Sequence, residues 1–297
     1  MQGSERFLTA LDTHVKLIAK GARKTVAANQ ELADWMLEPL ADWTVKAYGE
    51  ETFESIAKAY FEYSMSVAKC QKDYEAAGRY TAGAVEEVKK EVYGKSGVMI
   101  PYMWAAVLIY AFWPSMVNHL RLFRHDFVEQ LPKEARVAEM ACGHGVLGLL
   151  TATDREDVTV DGLDISPSAI EMAQSLANVS ACKDRVSLRV EDALVAPEKP
   201  GQFQGVIAAM LAEHLEQPEM MFANVSQLLA PGGIAYISTA LESAQPDHVY
   251  EFHHESEPLL LAEKYGLRIT RMVVDSGYGI PGGQFLPRAL AMVVVKV

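Results

Sequence analysis

The stretch Val137-Ala138-Glu139-Met140-Ala141-Cys142-Gly143-His144-Gly145-Val146-Leu147-Gly148 decides how the chain folds. It reads as a buried strand, a tight glycine turn and the start of a helix. Asp164 follows at the end of the next apolar run, Val158 to Leu163. A doubly wound sheet builds a nucleotide site in this way. Glycines let the backbone approach a ligand closely, and the carboxylate accepts hydrogen bonds from ribose hydroxyls.

From about Ala135 onward, short apolar runs alternate with helical stretches, which predicts a parallel sheet. Strands are expected at Arg136 to Met140, Val158 to Leu163, Val186 to Val190, Gln204 to Met210, Gly233 to Ser238, Leu267 to Val274 and Ala289 to Val295. Ser166-Pro167 is a helix start, with serine as the cap and proline at the first helical position. Pro231-Gly232-Gly233 reads as a turn that ends one helix and launches the next strand. Residues 1 to about 130 read differently. Leu8, Leu11, Val15 and Ile18, then Phe53, Ile56, Ala57, Tyr60 and Phe61, recur at helical spacing, and no run alternates like a strand. Gly94 to Gly97 looks like a break, and Pro114 fits a kink or a helix start. The expected architecture is an α/β fold, a doubly wound and mostly parallel seven-stranded sheet over residues 131–297, preceded by an all-helical domain over residues 1–130.

With 297 residues, half of them hydrophobic, the chain has ample apolar surface for a core. A net charge of -12 argues against nucleic acid, which needs a basic footprint, and is compatible with a neutral or cationic small substrate. Cys70, Cys142 and Cys182 are widely spaced and odd in number, so neither a disulfide framework nor a zinc site is suggested, and a cytoplasmic location is expected. Charged residues recur from Glu5, so no signal peptide is expected. Ser96 to Asn118 carries no formal charge and is long enough to span a bilayer, but Pro101 and Pro114 interrupt it; a buried helix is expected, and no membrane partner.

The ordered motifs of the second half resemble the class I S-adenosylmethionine-dependent methyltransferases. Glu139-Met140-Ala141-Cys142-Gly143-His144-Gly145 resembles the family's first motif, an acid followed by alternating glycines, with Ala141 where the first glycine is usual. Asp164 matches the acid ending the second strand, and Glu191-Asp192-Ala193 the acid-bearing turn after the third. Leu211 to Pro218, with Glu213-His214, resembles the segment after strand four, and Leu228 to Gly233 the turn before strand five. The resemblance covers roughly residues 130–297 and implies a Rossmann-like fold that binds S-adenosylmethionine and releases S-adenosylhomocysteine. It implies that Ala141, Gly143 and Gly145 form the cofactor loop and that Glu139 meets the methionine ammonium. Asp164 would take the ribose hydroxyls, Ile165 would pack on the adenine, Asp192 and Ala193 would meet its amino group, and Met210 and Leu211 would line the methionine arm. The helical half looks like the lid of small-molecule members, which implies an enclosed acceptor methylated at O, N or C by direct displacement, an amine or guanidine included.

Several residues are open to more than one reading. His144 and Cys142 read as fillers of the loop rather than as catalysts. His214, His253 and His254 are the candidate bases, since histidine titrates near neutral pH. Tyr102, Trp104, Tyr110, Trp113, Tyr250 and His253 are candidates for substrate contact. Some relatives use a pair such as Glu213-His214 as metal ligands or as a base. A metal would need more ligands, for which His248, His253 and His254 are candidates; the spacing matches no metal signature, and no metal is expected. Gly143 to Gly148 is also literally G-x-G-x-x-G, so an NAD-dependent oxidoreductase is the alternative enzyme. A third reading is a non-methylating protein that holds the cofactor structurally, or uses it for a pericyclic step, while the helical half docks a partner; an exposed apolar stripe in residues 50–70 would support the docking. A homodimer through the N-terminal helices is compatible with every reading.

Overall fold

The computed structural model describes residues 2–80, 93, 95–195, 200–277 and 283–297. Among the described residues six α-helices come first: α1 (Gly3–His14), α2 (Lys16–Ala28), α3 (Gln30–Tyr48), α4 (Thr52–Ala77), α5 (Ser96–Phe112) and α6 (Pro114–Leu122). Then follow β1 (Arg136–Met140), α7 (Val146–Asp154), β2 (Thr159–Asp164), α8 (Pro167–Val179), β3 (Val186–Val190), β4 (Phe203–Ala209), α9 (Glu219–Leu228), β5 (Leu229–Leu241), α10 (Ser256–Lys264), β6 (Leu267–Ser276) and β7 (Arg288–Lys296). The strands form one sheet in the order β3-β2-β1-β4-β5-β7-β6. β7 runs antiparallel to both β5 and β6, and the other pairs are parallel.

The order reverses between β1 and β4, and in open α/β sheets the ligand crevice opens at such a switch point, beyond the carboxyl ends of the strands. β4 and β5 are apolar along most of their length because both faces are covered. One core packs the N-terminal helices, α7 and α8 against one face, through Leu40, Ile56, Leu108, Leu150, Leu176 and Tyr236. The other face packs α9 and α10 through Phe222, Ala262, Ile237 and Met292.

Ser166 caps α8 by accepting from the Ala169 amide at 3.4 Å, with Pro167 at the first helical position. Pro114 likewise opens α6. Gly94 lies outside the described residues. The Pro231-Gly232-Gly233 turn falls inside β5 rather than before it. The strand already pairs from Leu229, and the extra residues are absorbed by a register shift opposite Phe203 and Gly205. The apolar stripe of α4 is buried: Phe53, Ile56, Ala57 and Tyr60 face inward. Helix α5 is buried as well, and it bends by 85° into the following helical segment; among the described residues no single helix is long and apolar enough to cross a membrane.

Phe123 ties the helical half to the sheet. It is fully buried, stacks on Phe127 at 5.6 Å and meets Tyr236 of β5 edge-on at 5.1 Å. Phe123→Ala leaves a cavity at that junction, and a loss of about 3–5 kcal/mol is expected in urea denaturation. A loss below about 1 kcal/mol would mean that the helices do not depend on this contact.

Candidate active site

Beyond the carboxyl ends of β1, β2, β4 and β5 lies a cavity of about 350 Å³, within the range of small-molecule sites. Its floor is the β1–α7 loop. The first turn after β1 is strained: Ala141 takes a left-handed conformation, φ 48°, that glycine would adopt freely. Met210 after β4 and Glu242 after β5 share this conformation, both at φ 48°. Three of the central strands thus end in backbone that side chains disfavour, and Ala141 and Met210 among them line the crevice.

Gly143, at φ 50°, is needed twice over, because a Cβ there would also sit 2.9 Å from the Met103 sulfur of α5. Its amide donates to Asp164 Oδ2 at 2.8 Å, and the Ser166 amide donates to Oδ1 at 2.8 Å. An ionised carboxylate has about four acceptor sites, so two remain for a ligand. Burial raises the Asp164 carboxyl above its ordinary range, against the pull of the two amides. Gly148 lets Glu139 approach α7: a Cβ would collide with Glu139 Oε2, which instead accepts from the Gly148 amide at 3.1 Å. Burial pushes the Glu139 carboxyl up to about 8. His144 accepts from the Val146 amide at 3.0 Å through Nδ1, and burial holds its ring down to about 4, neutral as that bond requires.

These bonds bear on which nucleotide the loop can hold. A dinucleotide pyrophosphate sits on the free amides of the helix N-terminus. Here the Val146 and Gly148 amides already serve His144 and Glu139. The described residues lining the cavity include Glu139, Asp164, Asp192 and Glu216 and no lysine or arginine. The surroundings favour a cation over an anion.

Of the expected cofactor residues, Glu139, Ala141, Gly143, Asp164, Ile165, Asp192, Ala193, Met210 and Leu211 all line this cavity. Ile165 is 40% exposed beside Asp164 and offers an apolar surface. Asp192 folds its turn by accepting from the Leu194 amide at 2.9 Å. Gly145 does not line the cavity; a Cβ there would meet Ala173 at 2.8 Å, so its role is to let α7 and α8 pack closely.

The far wall comes from α4 and α5: Tyr63, Met99, Tyr102, Met103, Ile109 and Tyr110 face the loop. Burial raises the hydroxyls of Tyr63, Tyr102 and Tyr110, so all three stay neutral. Trp104 and Trp113 do not join them. Trp104 packs edge-on against Tyr48 at 5.9 Å, and Trp113 stacks on Tyr63 at 6.0 Å, behind the wall. Tyr250 packs on Phe252 at 4.7 Å, on the other side of the sheet.

The expected bases divide. His214 lines the cavity. His253 and His254 do not: their side chains are 64% and 70% exposed, and their amides donate to Glu257 at 2.7 and 2.8 Å at the start of α10. The loop after β5 instead delivers His248 and Gln245. It is held there because the Val249 and Tyr250 amides both donate to the Glu213 carbonyl, at 2.8 and 2.9 Å. Tyr93, whose hydroxyl reaches His214 Nδ1 at 3.1 Å, was also missed from the sequence. Burial works against a charge on His214, but Asp247 and Glu213 outweigh it and raise the ring; burial beside His214 drives His248 down to about 3.

Residues 137–233 match the family model described as a methyltransferase domain. This stretch is similar to methyltransferase domains. A ubiquinone biosynthesis O-methyltransferase of Paracidovorax citrulli is 30% identical over 129 residues, 43% of this chain and 53% of the relative. Norajmaline N-methyltransferase of Rauvolfia serpentina is 26% identical over 140 residues, 44% of this chain and 48% of the relative. The chain therefore spans about half the length of these curated relatives. Phosphoethanolamine N-methyltransferase 2 of Haemonchus contortus, solved with S-adenosyl-L-methionine, superposes at a TM-score of 0.53 with 14% identity, covering 73% of this chain and 60% of that one. At that identity the likeness is one of fold. The methyltransferase domain accounts for the crevice floor, and the matched residues 137–233 exclude the tyrosine wall of α4 and α5.

Glu139 gives a test of the loop. Its folded carboxyl holds a proton up to about pH 8, whereas the unfolded chain releases it near the ordinary value of 4.5. Folding therefore binds a proton between those limits, and its contribution to stability falls as pH rises through that window. Glu139→Gln does not titrate. The variant is expected to gain on the wild type between pH 5 and 8, by up to about 1.4 kcal/mol per pH unit, with a constant difference above 8. Denaturation curves at several pH values measure this; parallel pH profiles would place Glu139 in an ordinary, solvated setting.

Proposed function

We propose that this chain is an S-adenosylmethionine-dependent methyltransferase whose acceptor is a small molecule enclosed between the strand ends and helices α4 and α5. The observation that carries this reading is the acidic cavity shared by the Gly143–Asp164 floor and the Tyr63–Tyr102–Tyr110 wall, with no lysine or arginine in its described lining. A cofactor carrying a sulfonium and an ammonium suits such a site. The polar groups present fit it. Asp164 keeps acceptor sites for ribose hydroxyls, Asp192 and Ile165 border the place for an adenine, and Glu139 is a buried carboxyl that an ammonium would ionise.

When bound, the cofactor supplies an electrophilic methyl group. The chain's own contribution is placement. Gly143 and Asp164 fix the loop, Met210 and Leu211 border the methionine arm, and the tyrosine wall excludes water and orients the acceptor. His214, facing the cavity, is the residue proposed to touch the acceptor. The relatives are named as a ubiquinone biosynthesis O-methyltransferase and a norajmaline N-methyltransferase, so the family resemblance supports O- and N-methylation alike.

The competing readings fare less well. NAD would find the helix amides taken and no basic partner for its phosphates. Docking through the α4 stripe would need apolar side chains that are already buried in the core. A homodimer would have to use outward residues such as Leu17 of α2, which is 82% exposed.

Calorimetric titration with S-adenosylhomocysteine, and separately with NAD, tests the proposal. Binding of the first alone is expected, weakened by about 1.5–3 kcal/mol in Asp164→Ala. Binding of NAD alone, or an unchanged affinity in the variant, would overturn the assignment of the floor.

A further inference from the structure

Where α4, β5 and the loop after β4 meet at the cavity wall, two histidines and a carboxylate converge. Glu213, His214 and His248 each offer a ligand atom, and these lie within 4.8 Å of one another. The two imidazole rings meet edge-on at 4.9 Å between centroids.

What makes this more than a polar cluster is where the other atoms are spent. Glu213 is fully buried; its Oε2 accepts from the Thr239 hydroxyl at 2.8 Å, while its Oε1 is buried with no hydrogen-bond partner. His248 Nδ1 lies 2.6 Å from the Ser243 carbonyl and so carries the proton, which leaves Nε2 as a bare lone pair. His214 Nδ1 lies 3.0 Å from the Asp247 carbonyl and 3.5 Å from its carboxylate, which places a proton on that nitrogen and leaves Nε2 as the ligand atom of the neutral ring. All three residues are thus oriented by a bond at the far atom, the arrangement that fixes tautomer and direction in metal-ligating histidines. The orphaned Oε1 would otherwise cost about 1–3 kcal/mol or more, and a cation removes that cost.

We propose that Glu213, His214 and His248 bind a divalent metal ion. Two imidazoles and one carboxylate suit a borderline first-row ion such as Zn²⁺ or Fe²⁺ rather than Mg²⁺ or Ca²⁺, which take mostly oxygen ligands. Ligand atoms around such an ion stand about 3–3.5 Å apart, so the three atoms draw together when the ion binds. His214 and His248 line the cavity, so the open coordination position faces the acceptor. The ion then selects acceptors bearing a hydroxyl. Coordination acidifies the hydroxyl, its proton leaves to solvent, and the metal holds the resulting oxygen anion in a cavity whose described lining has no lysine or arginine to do so. This last step rests on the methyl-transfer reading above; the metal site itself does not.

The test uses the full chain, freed of any tag and stripped with chelator. ZnCl₂ is titrated by calorimetry and CoCl₂ by its visible absorption, with S-adenosylhomocysteine binding measured on the same samples. About one equivalent of each metal is expected. Glu213→Gln, which keeps the shape of the side chain, and His248→Ala should each weaken metal binding by more than about 100-fold, while leaving S-adenosylhomocysteine affinity within about twofold. If His248→Ala does not fold, Glu213→Gln and the wild-type stoichiometry decide. Substoichiometric uptake by the wild type, or a Glu213→Gln variant that binds metal normally, would overturn the site. Metal bound without S-adenosylhomocysteine would leave the site standing and remove the methyl-transfer reading with its acceptor class.

Discussion

The Asp164 carboxylate is the constraint on which the crevice depends. It stands at the end of β2 and accepts from the Gly143 amide of the β1 loop and from the Ser166 amide at the start of α8. Without those bonds the two loops that flank the switch point would carry buried amides with no acceptor, each costing about 1–3 kcal/mol. With them, the loop after β1 is drawn down against β2, Gly143 faces α5, and the wall of α5 has a fixed floor to close on. The group proposed to hold the ribose is the same group that shapes the loop. Binding and local folding are therefore one problem at this position.

The left-handed residues at the strand ends belong to the same economy. Ala141, Met210 and Glu242 each adopt a conformation that costs about 1–3 kcal/mol for a residue with a Cβ. Each is held by a bond from its own amide or the next one. The Cys142 amide donates to Leu163 at 2.9 Å, the Met210 amide to Ser238 at 2.9 Å, and the Glu242 amide to Phe252 at 3.1 Å. The strain sits where backbone has to turn away from the sheet, and at Ala141 and Met210 that turn faces the cavity.

Much of this was legible in the sequence. Buried parallel strands are short apolar runs, so β1 and β3 could be bounded to the residue, and Ser166-Pro167 announced α8 through its capping chemistry. β5 was read too short because glycine and proline usually interrupt a strand, whereas here they are carried as a register shift. The floor of the site is built from residues at strand ends, which sequence order fixes. The wall is not. Trp104 and Tyr102 lie two positions apart on α5 and so point to opposite faces; which face meets the cavity is set by how the helix packs, and here Trp104 goes to Tyr48 while Tyr102 lines the cavity. The histidines were misjudged for a similar reason. His253 and His254 stand next to α10, whose Glu257 claims their amides, while His248 is carried inward by two amide bonds to a carbonyl that no motif marks.

The charge of the cavity ties these parts together. Glu139, Asp164, Asp192 and Glu216 border it, and Glu213 and Asp247 lie buried just behind. So many carboxyls cannot all ionise in a confined space without a positive partner. At the β1 end, burial raises Glu139 far enough that it stays protonated near neutral pH until a cation arrives. At the His214 end the same problem has a different solution, because two imidazoles stand beside Glu213 and Asp247, with ligand atoms of His214, His248 and Glu213 within 4.8 Å of one another. One end is therefore built to take the charge of a bound cofactor and the other to take the charge of an ion. The acceptor must fit between them.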